Sequence, residues 1–375
     1  MDLDAVREKL TSLPMATSDL TGIGGRIKTV PEHFQVEEIL AYRACGIGEH
    51  VYATLRRKGW NTPDVGREIA RTLGVPSRDV GWAGLKDRNA LTTQTFSIRL
   101  LQKMSRAEVA KRLRVDTPFE ILAVERHRNK LKPGHVQANR FRIWIAGVRD
   151  DAQERAAAIA EQVGQTGIPN FFGEQRFGHR MANLERADAL VRSTRRRRHR
   201  KDAFFVSVLQ SALFNVWLAE RMERGDFQRI LTGDIAKKTD TGGLFTVEEP
   251  DLQDALDRFC TGKIVYTGPM YGYKIMKPTK AAGRIEADLL RRFGLTPESF
   301  RPWKSPGTRR PGLLRPEALQ IESVSVPGGT DPTAESETNP RRAGVPPSSE
   351  PGLLFSFTLS AGCYATMLLR EFMKS

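Results

Sequence analysis

The sequence predicts an α+β chain (α/β in the broad sense) of two packed units: a twisted, mixed sheet flanked by helices, interrupted by a smaller α-rich α+β domain. Three observations carry that expectation. Apolar residues alternate at Val51, Ala53 and Leu55, at Phe96, Ile98 and Leu100, and at Phe141, Ile143 and Ile145, the pattern of strands with one buried face. From about Asp151 the period lengthens: Ala156, Ile159, Ala160 and Val163 recur as on one side of a helix, and a long, mainly helical region follows. Alternation returns only near the C-terminus, at Leu353, Phe355, Phe357 and Leu359, and then gives way to helical spacing at Ala365, Leu368, Leu369 and Phe372.

In order along the chain, residues 24–38 open with glycines and continue as a short, partly alternating stretch. Thr62 and Pro63 have the character of an N-cap and a first helical turn; Val65, Ile69, Ala70 and Leu73 share a helical face that Gly74 ends. Residues 1–150 and 315–375 are expected to form one discontinuous domain, with residues 165–314 inserted into it. An insertion of this kind is tolerated where the chain leaves and returns at the surface. Within the returning part, residues 325–352 are rich in Pro, Gly, Ser, Thr and Glu and poor in large apolar residues, so a disordered loop is expected there.

The chain has 375 residues, 39% of them hydrophobic, enough for a substantial core. Its 59 Lys and Arg against 44 Asp and Glu leave a formal charge of +15, which favours a polyanionic partner, nucleic acid first, through counterion release and steering. Cys45, Cys260 and Cys363 are far apart and form no CxxC pair; neither a zinc site nor a disulfide framework is expected. The N-terminal MDLDAVREKL lacks an apolar signal core, and no membrane-spanning window is expected, so the protein is placed in the cytoplasm. Gly22-Ile23-Gly24-Gly25 lacks the spacing of a nucleotide loop, and no H-x-E with a downstream P-C-x-x-C is present, which argues against a zinc deaminase. Nor do Asp and Glu cluster at the ligand positions a metal-dependent nuclease would need. No heptad or exposed apolar strip is evident, which favours a monomer.

The chemistry-bearing candidate is Gly84-Leu85-Lys86-Asp87-Arg88-Asn89, between a strand end at Trp82 and the strand carrying Phe96, because turns at strand ends are where sites are built. Taken as residues alone, it is a polar turn in which Gly84 permits an unusual backbone angle and Asp87 bonds locally. GLKDRNALTTQTF also resembles the signature of the TruD pseudouridine synthases, in which the Asp of a G-x-K-D run is the catalytic carboxylate. Other motifs agree, in order, over nearly the whole chain. Lys28 with Pro31-Glu32-His33-Phe34 resembles the family's K-x-x-P-E-D-F, with His33 where Asp is usual. Lys130-Leu131, Gly134 and Asn139-Arg140-Phe141 resemble K-L-x-x-G followed by G-N-x-F, with Ala138 in place of Gly. Residues 169–178, PNFFGEQRFG, are close to P-N-[YF]-F-G-x-Q-R-F-G, and Gln210 to Asn215, Tyr364-Ala365-Thr366 and Arg370-Glu371 match later elements.

The resemblance implies a pseudouridine synthase-like catalytic domain with a mixed, mainly antiparallel sheet, and an RNA-modifying isomerase acting on tRNA, at uridine-13 of the D arm. Moving the glycosidic bond from N1 to C5 of uracil oxidises nothing and adds no group, so no cofactor is expected. It does need a positioned carboxylate, as nucleophile or as base. Asp87 is that candidate, and the family comparison offers Lys28 as the cation that holds it ionised. Lys86 is expected to point the other way, being adjacent on extended chain. A uridine buried in a helix must be extruded, and Phe34, Phe141 and Tyr364 are the matched rings on which it would stack, with ordinary core packing as their alternative. Asn139 is the candidate for the uracil edge. Arg195, Arg196, Arg197, Arg198, Arg200 and Lys201 form the densest basic run and, with Arg176, His179 and Arg180, are expected to grip phosphates. The site is expected in a cleft between the domains. The competing function is a non-catalytic RNA-binding protein or tRNA chaperone on the same fold.

Overall fold

The computed structural model of the protein describes residues 3–27, 30–100, 104–193, 200–327 and 349–374. The elements begin with helix α1 (Leu3–Thr11), strands β1 (Gly24–Arg26), β2 (Phe34–Leu40) and β3 (His50–Arg57), helix α2 (Thr62–Leu73), strands β4 (Val80–Trp82) and β5 (Leu91–Arg99) and helix α3 (Arg106–Asp116). Strands β6 (Glu120–His127) and β7 (Val136–Val148), helix α4 (Ala152–Thr166), strand β8 (Ile168–Pro169), and helices α5 (Ala182–Arg192) and α6 (Arg200–Glu223) come next. Strands β9 (Ile235–Lys238) and β10 (Leu244–Thr246), helix α7 (Leu252–Cys260), strand β11 (Ile264–Met270) and helix α8 (Lys280–Arg292) follow. The chain closes with β12 (Thr308–Pro311), β13 (Leu313–Leu314), β14 (Glu317–Pro327), β15 (Ser349–Ser360) and α9 (Ala365–Met373).

Two compact units divide the chain. The sheet unit comprises Leu20–Ala160, Pro316–Gly362 and Phe372–Ser375; the helical unit comprises Met1–Asp19, Glu161–Arg315 and Cys363–Glu371. The expected domain limits therefore shift at both ends. Val6 and Leu10 of α1 are buried in the helical unit's core beside Leu209 and Leu213 of α6. Glu371 of α9 accepts from the backbone N–H groups of Ala16 and Thr17. These contacts place α1 and most of α9 in the helical unit, although sequence order assigned both to the sheet.

The sheet unit holds a nine-stranded sheet in the order β14-β15-β7-β2-β5-β3-β6, with β1 on β7 and β4 on β5. Its pairs are antiparallel except β2 with β5, as expected of a mixed, mainly antiparallel sheet. The alternating residues are its buried face: Phe141, Ile143 and Ile145 of β7 lie opposite Phe357, Phe355 and Leu353 of β15, all buried. Val65, Ile69 and Leu73 of α2 pack with Val51, Ala53, Leu55, Phe96 and Ile98 in a second core.

Three expectations need correction. The N-cap of α2 is Asn61, not Thr62, whose hydroxyl is used elsewhere. Of the expected loop 325–352, Ser325 to Pro327 instead pair with Pro351 to Ser349 in the β14–β15 hairpin, and residues 328–348 lie outside the described residues. The expected absence of a membrane-length apolar window also fails by composition. Asp202–Glu223 in α6 is long and apolar enough to cross a bilayer, but its most apolar part is mostly buried inside the protein. A helix apolar all round is also what the centre of a core requires.

In the helical unit, α6 is that centre. Val208, Leu209, Leu213, Phe214 and Trp217 are buried, and a four-stranded sheet, β10-β9-β11-β12, lies in the same unit.

Candidate active site

Strand β4 delivers the chain into the Gly84–Asn89 turn. Gly81 is required there by contact: a Cβ would lie 2.5 Å from the carbonyl oxygen of Leu131 and 2.8 Å from Ser97 Oγ. The Lys130-Leu131 motif packs against β4 at this point, and the Leu131 N–H donates to Ser97 Oγ at 2.9 Å. Gly84, by contrast, has no left-handed backbone angle, and a Cβ on it would meet nothing closer than Val136 Cγ2 at 3.5 Å. The sequence-based expectation of an unusual angle at Gly84 is thus corrected.

Asp87 is exposed at the tip of the turn. One carboxylate oxygen, Oδ1, accepts from the Asn89 N–H at 3.1 Å, an Asx turn that fixes the side chain locally. The Lys86 side chain is buried where that of Asp87 is exposed, and it is far from idle. Its ammonium lies 2.9 Å from Glu38 Oε1, with the two side chains 7% and 0% exposed, and it donates to Asn139 Oδ1 at 2.8 Å. Glu38 and Asn139 are direct cross-strand partners on β2 and β7, so their side chains share one face of the sheet.

Beneath the turn, the polar groups form one continuous network. Thr62 Oγ1 accepts from the Lys86 N–H at 3.0 Å and from the Arg57 guanidinium at 3.1 Å, and donates to Gln94 Oε1 at 3.1 Å. Gln94 in turn donates from Nε2 to Glu38 Oε1 at 3.3 Å and to the Gly84 carbonyl at 2.8 Å. Arg57, 3% exposed, also donates to the carbonyls of Trp60 and Asp87. Burial lowers Arg57 to about 10, against the opposing pull of Asp87 and Glu38. The carboxylate-bearing turn therefore rests on a desolvated cation, where charge interactions are screened least. Sequence reasoning missed Arg57, Thr62, Gln94 and Glu38. The available signal was a polar residue at an inward position of an alternating strand, as Glu38 is after Phe34 and Val36.

The other expected residues divide. Lys28 lies outside the described residues. Phe34 and Phe141 are on the same face as Asn139 but are 5% and 6% exposed. Their rings meet edge-to-face at 6.2 Å, and Phe141 stacks on Phe357 at 5.3 Å. Ala138 lies in strand, paired with Ile39 and Ser360, and is not among the residues with positive φ, so Ala in place of Gly brings no backbone strain there. His33 is buried against Trp144, and desolvation lowers its pKa.

Tyr364 belongs to the helical unit, edge-to-face with Phe172 at 5.9 Å. Arg176 is there too, its guanidinium 5.9 Å from Phe172 and 5.2 Å from Phe204, donating to Ser211 Oγ and Ser207 Oγ of α6; burial lowers its pKa. His179 and Arg180 are exposed, and Arg180 and Met181 have φ of 49° and 60°, a costly conformation for residues with a Cβ. Arg195, Arg196, Arg197 and Arg198 lie outside the described residues, while Arg200 and Lys201 open helix α6. A later motif helps to hold the PNFFGEQRFG segment, as Asn215 exchanges two hydrogen bonds with the Phe172 backbone at 2.8 and 2.9 Å; outside the motifs, Arg310 donates to Asn170 Oδ1 at 2.6 Å. Among the described residues, no group of three or more His, Cys, Asp or Glu side chains is placed to hold a metal ion.

Comparison with known proteins agrees with the motif pattern. A sequence model of tRNA pseudouridine synthase D (TruD) matches residues 12–197 and 181–372. A tRNA pseudouridine synthase D of Anaeromyxobacter dehalogenans (strain 2CP-C) is 39% identical over 98% of both chains. That of a Thermus thermophilus strain is 38% identical over 96% of this chain and 92% of its own. A crystal structure assigned to TruD from Methanosarcina mazei superposes with a TM-score of 0.73 at 23% identity, covering 100% of this chain and 99% of that one, a likeness of fold. Matched along nearly its whole length, the chain belongs to the tRNA pseudouridine synthase D (TruD) family of isomerases.

Proposed function

We propose that the protein converts a uridine of tRNA to pseudouridine, uridine-13 of the D arm by family resemblance, with Asp87 as the catalytic carboxylate acting on a flipped-out nucleotide. The observation that carries this is the arrangement at Asp87: an exposed carboxylate on a turn whose underside is pinned by a buried polar network. Such a group is fixed through its backbone and exposed at the tip of the turn, which is what positioned carboxylate chemistry requires. Asn139, tied to the residue next to Asp87 through the Lys86 ammonium, supplies an amide for the uracil edge. Phe34 and Phe141 support that face of the sheet from its core. The reaction leaves the atoms of the nucleotide unchanged in number: the N1 glycosidic bond breaks, the ring turns, the ribose rejoins at C5, and the C5 hydrogen is lost to solvent while N1 gains one. No cofactor enters that balance.

The basic run Arg195, Arg196, Arg197, Arg198, Arg200 and Lys201 is assigned to phosphate contact. Positive side chains at the start of a helix oppose its dipole, so their presence ahead of α6 is not accounted for by helix stability, whereas polyanion binding uses them directly. Arg176 is assigned with them as an RNA contact and Tyr364 as a stacking ring. The protein is proposed to act in the cytoplasm, as a monomer.

The decisive experiment is tritium release from tRNA transcripts carrying 5-tritiated uridine, without added metal, for the intact protein and for Asp87→Asn. The expected result is release by the intact protein and none by the variant, which retains tRNA binding because only one oxygen of an exposed side chain has changed. Tight tRNA binding by both with release by neither would favour the RNA-chaperone alternative.

A further inference from the structure

The contact between Lys86 and Asn139 fixes the orientation of the asparagine amide. A lysine ammonium has three donors and no acceptor. Asn139 must therefore turn Oδ1 toward it, as the 2.8 Å contact shows, and its Nδ2 group is directed away from Lys86. Glu38 prevents the ammonium from swinging clear: the ion pair is 2.9 Å long with both side chains almost wholly buried. Glu38 is itself held by Gln94 Nε2 and the Thr95 N–H. Cross-strand pairing of Glu38 with Asn139 sets those two side chains on one face, where the Lys86 ammonium reaches both.

We propose that Lys86, anchored by Glu38, is a positioning residue that presents Asn139 to the substrate as a hydrogen-bond donor, selecting a base with a carbonyl oxygen at the contacted position. This deepens the pseudouridine synthase function and rests on it. A freely rotating amide would offer either a donor or an acceptor, and so tolerate a uracil carbonyl or a cytosine amino group alike. A locked one accepts only the carbonyl. The energy comes from preorganisation: a donor already aimed and desolvated costs no reorientation when the base arrives. A buried charge pair is a costly means of holding a side chain, and that cost is understandable where orientation, rather than stability, is what it secures.

The test is a double-mutant cycle on the full-length protein. Single-turnover tritium release and tRNA dissociation constants are measured for Lys86→Met, Asn139→Ala and the two combined. Asn139→Ala is expected to slow release by about 10²-fold or more, as removal of a positioned donor does, and Lys86→Met to slow it by a smaller factor, because it frees the amide without deleting it, with tRNA affinity unchanged in both. The combined variant is expected to be no slower than Asn139→Ala alone, because Lys86 acts only through that amide. Losses that multiply would overturn the proposal, since they would mean that Lys86 and Asn139 act separately. Lys86→Met leaves Glu38 as an uncompensated buried charge, so Glu38→Gln with Lys86→Met serves as the variant that removes both charges together. If that protein folds and releases tritium at the wild-type rate, the proposal is also overturned. An intact protein that releases no tritium overturns the function itself, and this inference with it, whereas the pattern among the variants addresses the orientation alone.

Discussion

At the scale of single residues, Asp87 depends on groups that never meet solvent. Arg57 is the clearest case: a buried guanidinium with its bonds spent on the carbonyls of Trp60 and Asp87 and on Thr62. Replacing it with Met keeps the apolar stem but leaves those acceptors without their donor, at about 1–3 kcal/mol for each group left unsatisfied. Arg57→Met is expected to lower the denaturant midpoint, measured by urea titration, and to slow tritium release more than it weakens tRNA binding, because the turn beneath Asp87 loses its support. Equal loss of rate and affinity would point to general unfolding instead.

At the scale of elements, β4 and the Lys130-Leu131 segment act as one piece. Gly81 allows them to touch, and the nearest atom a methyl group there would meet is the Leu131 backbone carbonyl oxygen, which cannot swing aside as the Lys130 side chain can. Gly81→Ala is expected to cost about 1–3 kcal/mol, as overpacking does, and to disturb the turn that β4 feeds. Gly84→Ala, three residues on, is expected to melt with the parent protein, since its added carbon sits at ordinary contact distance. Thermal denaturation of the two variants side by side checks the pair. The signature G-x-K-D would have suggested the opposite, that its own glycine is the indispensable one.

For the whole molecule, buried histidines set the acid limit. His33, His50 and His127 are 7%, 5% and 8% exposed, and desolvation is the main cause that lowers each below its ordinary 6.5. His50 and His127 are cross-strand partners on β3 and β6, close to Glu49, Arg99, Arg128, Lys130 and His135. With the folded values depressed, the unfolded chain binds protons first as pH falls. The stability is complete above about pH 6.5 and is lost as pH drops through the folded values. The melting temperature is expected to fall as pH is lowered from about 6.5 to about 5, and less steeply for His127→Gln; an unchanged slope in that variant would assign the effect elsewhere.

The sequence by itself determined the periodic elements, since a half-buried strand and an amphipathic helix impose different spacings on apolar residues. Phe141, Ile143 and Ile145 are buried as their alternation required, and the turn between Trp82 and Phe96 holds Asp87 at its exposed tip. The ordered motifs likewise placed the chain in its family. Only the tertiary structure decided which polar residues support that turn. Arg57, Thr62, Gln94, Glu38 and Asn139 come from five separate elements or their edges, and no local spacing records that a register of β2 against β7 sets Glu38 opposite Asn139. The role of Lys86 was hidden for the same reason. Alternation said that it points away from the side chain of Asp87, but what it points toward is a matter of strand pairing between residues about a hundred positions apart in the chain, which period alone cannot encode.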